Sequence, residues 1–188
     1  MAIKEVNPDP GAALYSRFLD GDAQSFAALV KTYKDALINF IAAIIGDETD
    51  AEDIAIDAFA VLMSARKKCH ENVTFKTFLF AIGKNLAFKY LRKHKNKALS
   101  LSLFVDGIRL KQKGTSFEDD FFREMDRKHI SECMERLKPA HRSVLYLLFF
   151  ENLKYAEAGR VMGKSEGQIR GLVYRAKEAL KTMLVPVI

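Results

Sequence analysis

Apolar residues recur along this chain every three or four positions and nowhere alternate with polar ones as a half-buried strand requires, which predicts an all-α fold. The pattern is densest in Phe75–Lys97, FKTFLFAIGKNLAFKYLRKHKNK, which reads as one helix, aromatic along much of its length and strongly basic at its end. Phe75, Phe78, Leu79, Ile82, Leu86 and Tyr90 share one face of it. A second, narrower line runs through Phe80, Lys84, Phe88 and Arg92, each four residues from the last. Rings interleaved with cations suit single-stranded nucleic acid, since bases stack on the rings while phosphates meet the charge. Helical aromatic stripes are more often core, so the plainer reading of the same residues is a packed helix with a solvated basic tail.

The charge distribution favours a polyanionic partner. Residues 1–65 carry 4 Lys/Arg against 11 Asp/Glu, whereas residues 66–97 carry 10 against 1. Residues 98–125 are close to neutral, and residues 126–188 carry 12 basic against 7 acidic side chains, for a net +6 over the chain. An acidic segment followed by a basic one implies two partners, or one partner with two faces, and nucleic acid is the commonest polyanion to meet the basic one. No apolar run reaches the roughly 18 residues of a membrane span. The beginning, MAIKEVNPDPGAAL, lacks the charged-then-apolar layout of a signal peptide. A cytoplasmic protein without membrane insertion is therefore expected, with Cys69 and Cys133 as free thiols. His129 and Cys133 lie four apart on a predicted helix, but zinc asks for further ligands and none is suggested. His70, His94, His129 and His141 are scattered, and neither a nucleophile–base pair nor a phosphate-binding glycine loop is visible. No catalytic residue, metal or cofactor is expected.

Taken in order, residues 1–12 hold two of the four prolines and read as a loose leader. Asp22 or Ser25 can cap a helix to about Ile45, with Phe26, Leu29, Val30, Tyr33, Leu37, Phe40, Ile41 and Ile44 inward. Beyond Gly46 and Asp47, Thr49-Asp50-Ala51-Glu52 has the form of a capping box. The helix it opens, to about Lys68, should bury Ala51, Ile54, Ala55, Ala58, Phe59 and Leu62. Acids in its first turns complement the helix dipole, which leaves Asp53 and Asp57, four apart on an exposed face, as a docking surface for a basic partner. Residues 98–125 are polar and turn-rich (DGIRLKQKGTSFEDD) and read as a flexible linker.

The last part is helical again. Asp126–Leu137 is amphipathic and stops near Pro139, and Ala140–Phe150 is apolar all round. A short helix, Tyr155–Met162, ends at Gly163, and Ser165 to Gln168 form a second capping box at the start of a longer basic helix. Ile169, Leu172, Val173, Ala176 and Leu180 make its buried stripe; Arg170, Tyr174, Lys177 and Lys181 line its outside, with Arg175 alongside. A short helix, a tight glycine turn and a longer basic helix is the helix-turn-helix layout, whose second helix enters the DNA major groove.

Two segments together resemble a known family. DETDAEDIAIDAFAVL followed by FKTFLFAIGKNLAFKYLRK is similar to the second region of bacterial RNA polymerase sigma factors, and ERLKPAHRSVLYLLFFENLKYAEAGRVMGKSEGQIRGLVYRAKEAL to their fourth. The short linker and lack of other large regions resemble the extracytoplasmic-function group. The resemblance implies two small helical domains: residues 13–97 for core polymerase docking and minus-ten recognition and melting, and residues 126–186 for minus-thirty-five recognition. It implies core-binding residues Asp50, Glu52, Asp53 and Asp57, and minus-ten contacts from Phe75, Lys84, Asn85, Lys89, Arg92 and Lys93. Phe75 would lie near the loop that holds an unstacked base. Minus-thirty-five contacts would come from Ser165, Gln168, Arg170, Tyr174, Arg175 and Lys177, with Arg and Gln able to reach base edges. The implied partners are core RNA polymerase, promoter DNA both duplex and single-stranded, and an anti-sigma factor. The sequence departs from the family's habit at Phe78 (usually Trp), Ile56 (usually Gln), Glu157-Ala158-Gly159 (commonly Glu-Ile-Ala) and Leu172 (often polar or basic). Two rivals accompany this expectation: a stand-alone helix-turn-helix regulator, and a sigma-like adaptor that binds only protein.

Overall fold

Short polar side chains at the helix starts set most of the architecture. In a computed structural model, which describes residues 9–65, 73–94 and 127–184, the helix α1 spans Pro10–Leu19. Asp9 caps it, its Oδ1 accepting from the Gly11 amide at 3.0 Å, and Pro10 occupies the first helical position, where no amide hydrogen is missed. The supposed leader is thus structured from Asp9 onward, because proline there starts a helix rather than breaking one. Asp22 caps α2 (Ala23–Ile45) by accepting from the amides of Gln24 and Ser25, and the Ser25 hydroxyl adds a 2.6 Å bond that lowers the Asp22 carboxyl pKa. Gly46 ends α2 at φ +81°, a left-handed cap favouring glycine. α3 spans Glu48–Ala65 and is capped by Asp47, whose Oδ1 accepts from the Asp50 amide at 2.9 Å. Thr49, expected as the cap, lies inside the first turn.

α4 covers Phe75–Lys93 and is capped twice: Thr74 accepts from the Thr77 amide, and the second oxygen of Asp9 accepts from the Phe75 amide at 2.5 Å. One carboxylate therefore caps two helices, reaching an amide 66 residues further along the chain. α2 is the centre of the N-terminal domain and packs on α1, α3 and α4. Leu29, Leu37, Phe40, Ile41 and Ile44 are wholly buried along it, and every residue expected inside α3 is buried. Each such large apolar side chain contributes roughly 1.5–3 kcal/mol by leaving water. Gly83 of α4 lets the helices close up: a Cβ there would lie 2.8 Å from Leu37 Cδ1.

The C-terminal domain runs α5 (Arg127–Arg136), α6 (Pro139–Leu145), a π-helical turn (Tyr146–Phe150), α7 (Tyr155–Met162) and α8 (Glu166–Leu184). The single apolar helix expected to Phe150 thus loosens at Tyr146, where the Tyr146 and Phe150 rings stack at 5.0 Å. α8 packs on α5, α6 and α7, with Ile169, Leu172, Val173, Ala176 and Leu180 inside as expected. No strand occurs among the described residues, and the expected linker, residues 98–125, lies outside them.

The two domains also pack on each other. α2 and α4 meet α6, the π-helical turn and α7. Phe40 lies between Phe80 of its own domain, at 5.0 Å, and Tyr146 of the other, at 5.9 Å. Arg142 is 5% exposed and donates to the carbonyls of Glu135, at 3.0 Å, and Ile44, at 3.2 Å, the latter in the last turn of α2 where carbonyls lack helical partners. The Lys76 ammonium donates to the Glu151 carboxylate at 2.6 Å and to the Glu151 carbonyl at 3.0 Å.

Candidate nucleic-acid interface

The turn between α7 and α8 is built around two glycines. Gly163 stops α7 at φ +66°, and the Lys164 amide donates back to the Gly159 carbonyl at 2.9 Å. A Cβ at Gly159 would sit 2.6 Å from the Lys164 carbonyl oxygen, so the close turn needs glycine where the family commonly has alanine. Ser165 and Gln168 close a reciprocal capping box: the Ser165 amide donates to Gln168 Oε1 at 2.9 Å, and the Gln168 amide to Ser165 Oγ at 3.3 Å. Both side chains remain exposed at the exposed start of α8.

The outer face of α8 is graded. Tyr174 is 68% exposed and Arg175 is exposed beside it. Arg170 is held back, ion-paired with Glu166 at 2.6 Å and lying over the Tyr155 ring at 4.5 Å. Lys177 is half-buried with its ammonium 5.2 Å from the Phe149 ring. A helix with an exposed aromatic ring, cations and an amide along its outer side can enter a major groove, and Arg170 can exchange Glu166 for a base edge or phosphate there.

On α4 the expected residues separate. Asn85, Lys89, Arg92 and Lys93 are exposed along its second half. Lys84 is half-buried, and burial followed by the Lys164 charge lowers its pKa. Phe75 has no exposed surface; it packs at 5.4 Å from Tyr15 and 5.2 Å from Tyr33, beneath α1. It therefore offers no face to a base in this arrangement, a correction that follows from the unexpected α1. Phe78 is half-buried beside Tyr15 at 6.3 Å and packs where the family usually has Trp.

On α3, Glu52, Asp53 and Asp57 are exposed, whereas Asp50 is half-buried and accepts a short hydrogen bond from the Tyr90 hydroxyl. That bond, then burial, pushes the Tyr90 phenol up to about 12. Asp50 thus ties α3 to the end of α4, with His94 stacked on Tyr90 at 4.2 Å. The sequence reading did not single out the apolar side of this face: Ile56 is 60% exposed, and Met63, two turns on, is exposed as well. Ile56, Met63, Phe26, Val30 and Phe59 line a shallow groove between α2 and α3, with Lys34 at its edge.

Among the described residues no helix is long and apolar enough to cross a membrane. The sigma-70 region 2 family model matches residues 29–97, and the sigma-70 region 4 model matches residues 127–180. The ECF RNA polymerase sigma factor BldN of Streptomyces coelicolor is 27% identical over 91% of this chain, which spans 64% of that protein's length. The RNA polymerase sigma-H factor of Pseudomonas aeruginosa is 25% identical over 93% of this chain and 94% of its own. The ECF sigma factor SigW of Bacillus subtilis is 25% identical over 87% and 91% respectively. The fold is shared with CnrH, solved in complex with the cytosolic domain of CnrY, at a TM-score of 0.68 and 21% identity over 96% of this chain and all of that one. It is shared too with the sigma factor RpoE of Bartonella quintana, solved with the anti-sigma factor NepR, at 0.66 and 19% over 88% of this chain and all of that one. With a helical region 2, a helix-turn-helix region 4 and relatives of this kind, the chain belongs to the sigma-70 family of RNA polymerase sigma factors.

Proposed function

We propose that this protein docks on core RNA polymerase through the exposed acids of α3, reads the minus-thirty-five duplex with α8, and engages the separated minus-ten strand along the basic second half of α4. It thereby directs polymerase to promoters in the cytoplasm and catalyses nothing itself. The observation that carries this reading is the outer face of α8 with Gln168, Tyr174 and Arg175 exposed, on a chain whose other domain presents an acidic helix. Glu52, Asp53 and Asp57 form the docking group, joined by the exposed Ile56. Lys84, Asn85, Lys89, Arg92 and Lys93 form the minus-ten group. Ser165, Gln168, Arg170, Tyr174, Arg175 and Lys177 form the minus-thirty-five group. An anti-sigma factor, as NepR is for the Bartonella protein, is a further expected partner. The docking assignment is tested with Asp53→Lys combined with Asp57→Lys. Reversing two like charges in one interface costs several kcal/mol, so core affinity should fall by roughly a hundredfold or more. Unchanged core binding would move the docking face elsewhere.

A further inference from the structure

The first turn of α8 holds a side chain that the minus-thirty-five assignment does not use. Glu166 is exposed, and one of its carboxylate oxygens accepts from Arg170 Nη2 at 2.6 Å. The Arg170 guanidinium lies 4.5 Å from the centre of the Tyr155 ring, whose face steadies it by cation–π attraction. An exposed ion pair of this kind contributes little to folding. The side chains around it are short of acceptors. Gln168 Oε1 is turned back onto the Ser165 amide at 2.9 Å, away from the two-bond pose in which Gln reads adenine. Arg170 and Arg175 can only donate. Glu166 is thus the one acid in the first turn of a helix face built mainly from donors. Beside it, a Cβ on Gly167 would enter open space, so packing does not demand glycine there. Without a side chain the backbone at this point can come close to a base edge.

We propose that Glu166 and Arg170 act as one unit that reads a single C·G base pair, Glu166 accepting from the cytosine 4-amino group and Arg170 donating to the paired guanine. In the major groove guanine presents two acceptors, N7 and O6, and cytosine presents its N4 donor beside them. N4 and O6 are hydrogen-bonded to each other across the pair, so they lie roughly 2.9 Å apart. The carboxylate oxygen and guanidinium nitrogen of Glu166 and Arg170 are 2.6 Å apart, a matching spacing. Arg170 therefore need not give up Glu166 to meet guanine. An A·T pair presents acceptor, donor and acceptor in turn, which leaves Arg170 a single acceptor and sets another beside the carboxylate. Turning the C·G pair round puts guanine O6 and N7 against Glu166, which repels them. The unit thus selects both the base pair and its orientation. This inference rests on the assignment of α8 to the minus-thirty-five duplex and adds a base identity to it.

The test selects duplexes randomised across the minus-thirty-five element, using core polymerase reconstituted with the parent chain or with Glu166→Ala. The parent should enrich a C·G pair in one orientation at one position, by roughly tenfold or more over any other pair, the worth of one good base contact. Glu166→Ala should flatten the preference at that position and leave the others as they were. The selected duplex is then remade with 2-pyrimidinone, which lacks the 4-amino group, in place of that cytosine. Losing the amine should weaken binding of the parent roughly tenfold more than binding of the Glu166→Ala form. Equal weakening of both forms would show that Glu166 merely steadies Arg170, and would overturn the proposal. A Glu166→Ala form that keeps the parent's preference at every position would overturn it as well. The α8 assignment has its own separate readout, since Tyr174→Ala with Arg175→Ala must lower affinity for the selected duplex whatever Glu166 does. A parent that enriches no duplex would remove that assignment, and this inference with it.

Discussion

Replacing Gly159 by alanine puts the helix-turn-helix geometry to a quantitative test. In an open helical position the exchange stabilises by about 1 kcal/mol, because glycine loses more backbone freedom on folding. At Gly159 the new methyl would lie 2.6 Å from the Lys164 carbonyl oxygen. That oxygen is backbone, in a turn fixed by the hydrogen bond from the Lys164 amide to the Gly159 carbonyl and by the left-handed Gly163, so it cannot swing aside as a side chain would. Overpacking of this kind costs roughly 1–3 kcal/mol, which gives a net loss of about 1 kcal/mol. Gly171→Ala is the internal control, since a Cβ there meets only Arg175 Nη1 at an ordinary 3.8 Å, and it should stabilise. Urea denaturation midpoints of the two variants should move in opposite directions, and Gly159→Ala should also weaken binding to a duplex by shifting α8. Equal stabilisation by both would refute the claim that the turn demands glycine.

Phe40→Ala should cost about 3–5 kcal/mol in the same denaturation assay, because the ring is wholly buried between Phe80 and Tyr146 and its loss leaves a cavity shared by both domains. Tyr90 supplies a prediction in pH. Its phenol is raised from 10.0 to about 12, so the unfolded chain releases the proton near pH 10 while the folded chain keeps it. The stabilisation from the Tyr90–Asp50 bond is therefore complete below pH 10 and is lost as pH rises to about 12. Asp50→Ala should return the Tyr90 midpoint towards 10.0 in an ultraviolet titration; an unmoved midpoint would mean that the hydrogen bond is not its cause.

Periodicity carried far where a helix meets one neighbour along one face. The buried stripes of α3 and α8 and the limits of α2 and α7 follow from apolar spacing plus a capping Asp22, Gly46 and Gly163, all local signals. What escaped was set by distant partners or by ambiguous residues. Asp9-Pro10 is a helix-start signature as much as a turn, and only its fit on Tyr33 and Phe75 decides the matter. With α1 missed, Phe75 looked available to a base, though it is the residue α1 covers. The exposure of Asp53, Asp57 and the basic second half of α4 followed from the charge pattern, yet it could not say that Asp50 is bound to Tyr90 or that Arg170 lies on Glu166 and Tyr155. The domain interface left the faintest trace: Arg142 and Ile44 are 98 residues apart, and nothing in either local pattern names the other.

The central claim is that this chain gives core polymerase a promoter specificity. The most direct measurement adds the purified protein to core RNA polymerase on a library of random promoter sequences and sequences the transcript starts. Enrichment of a shared pair of elements upstream of the starts, absent with core alone and weakened when Tyr174 and Arg175 are replaced by alanine, is the predicted result. Starts indistinguishable from those of core alone would contradict it.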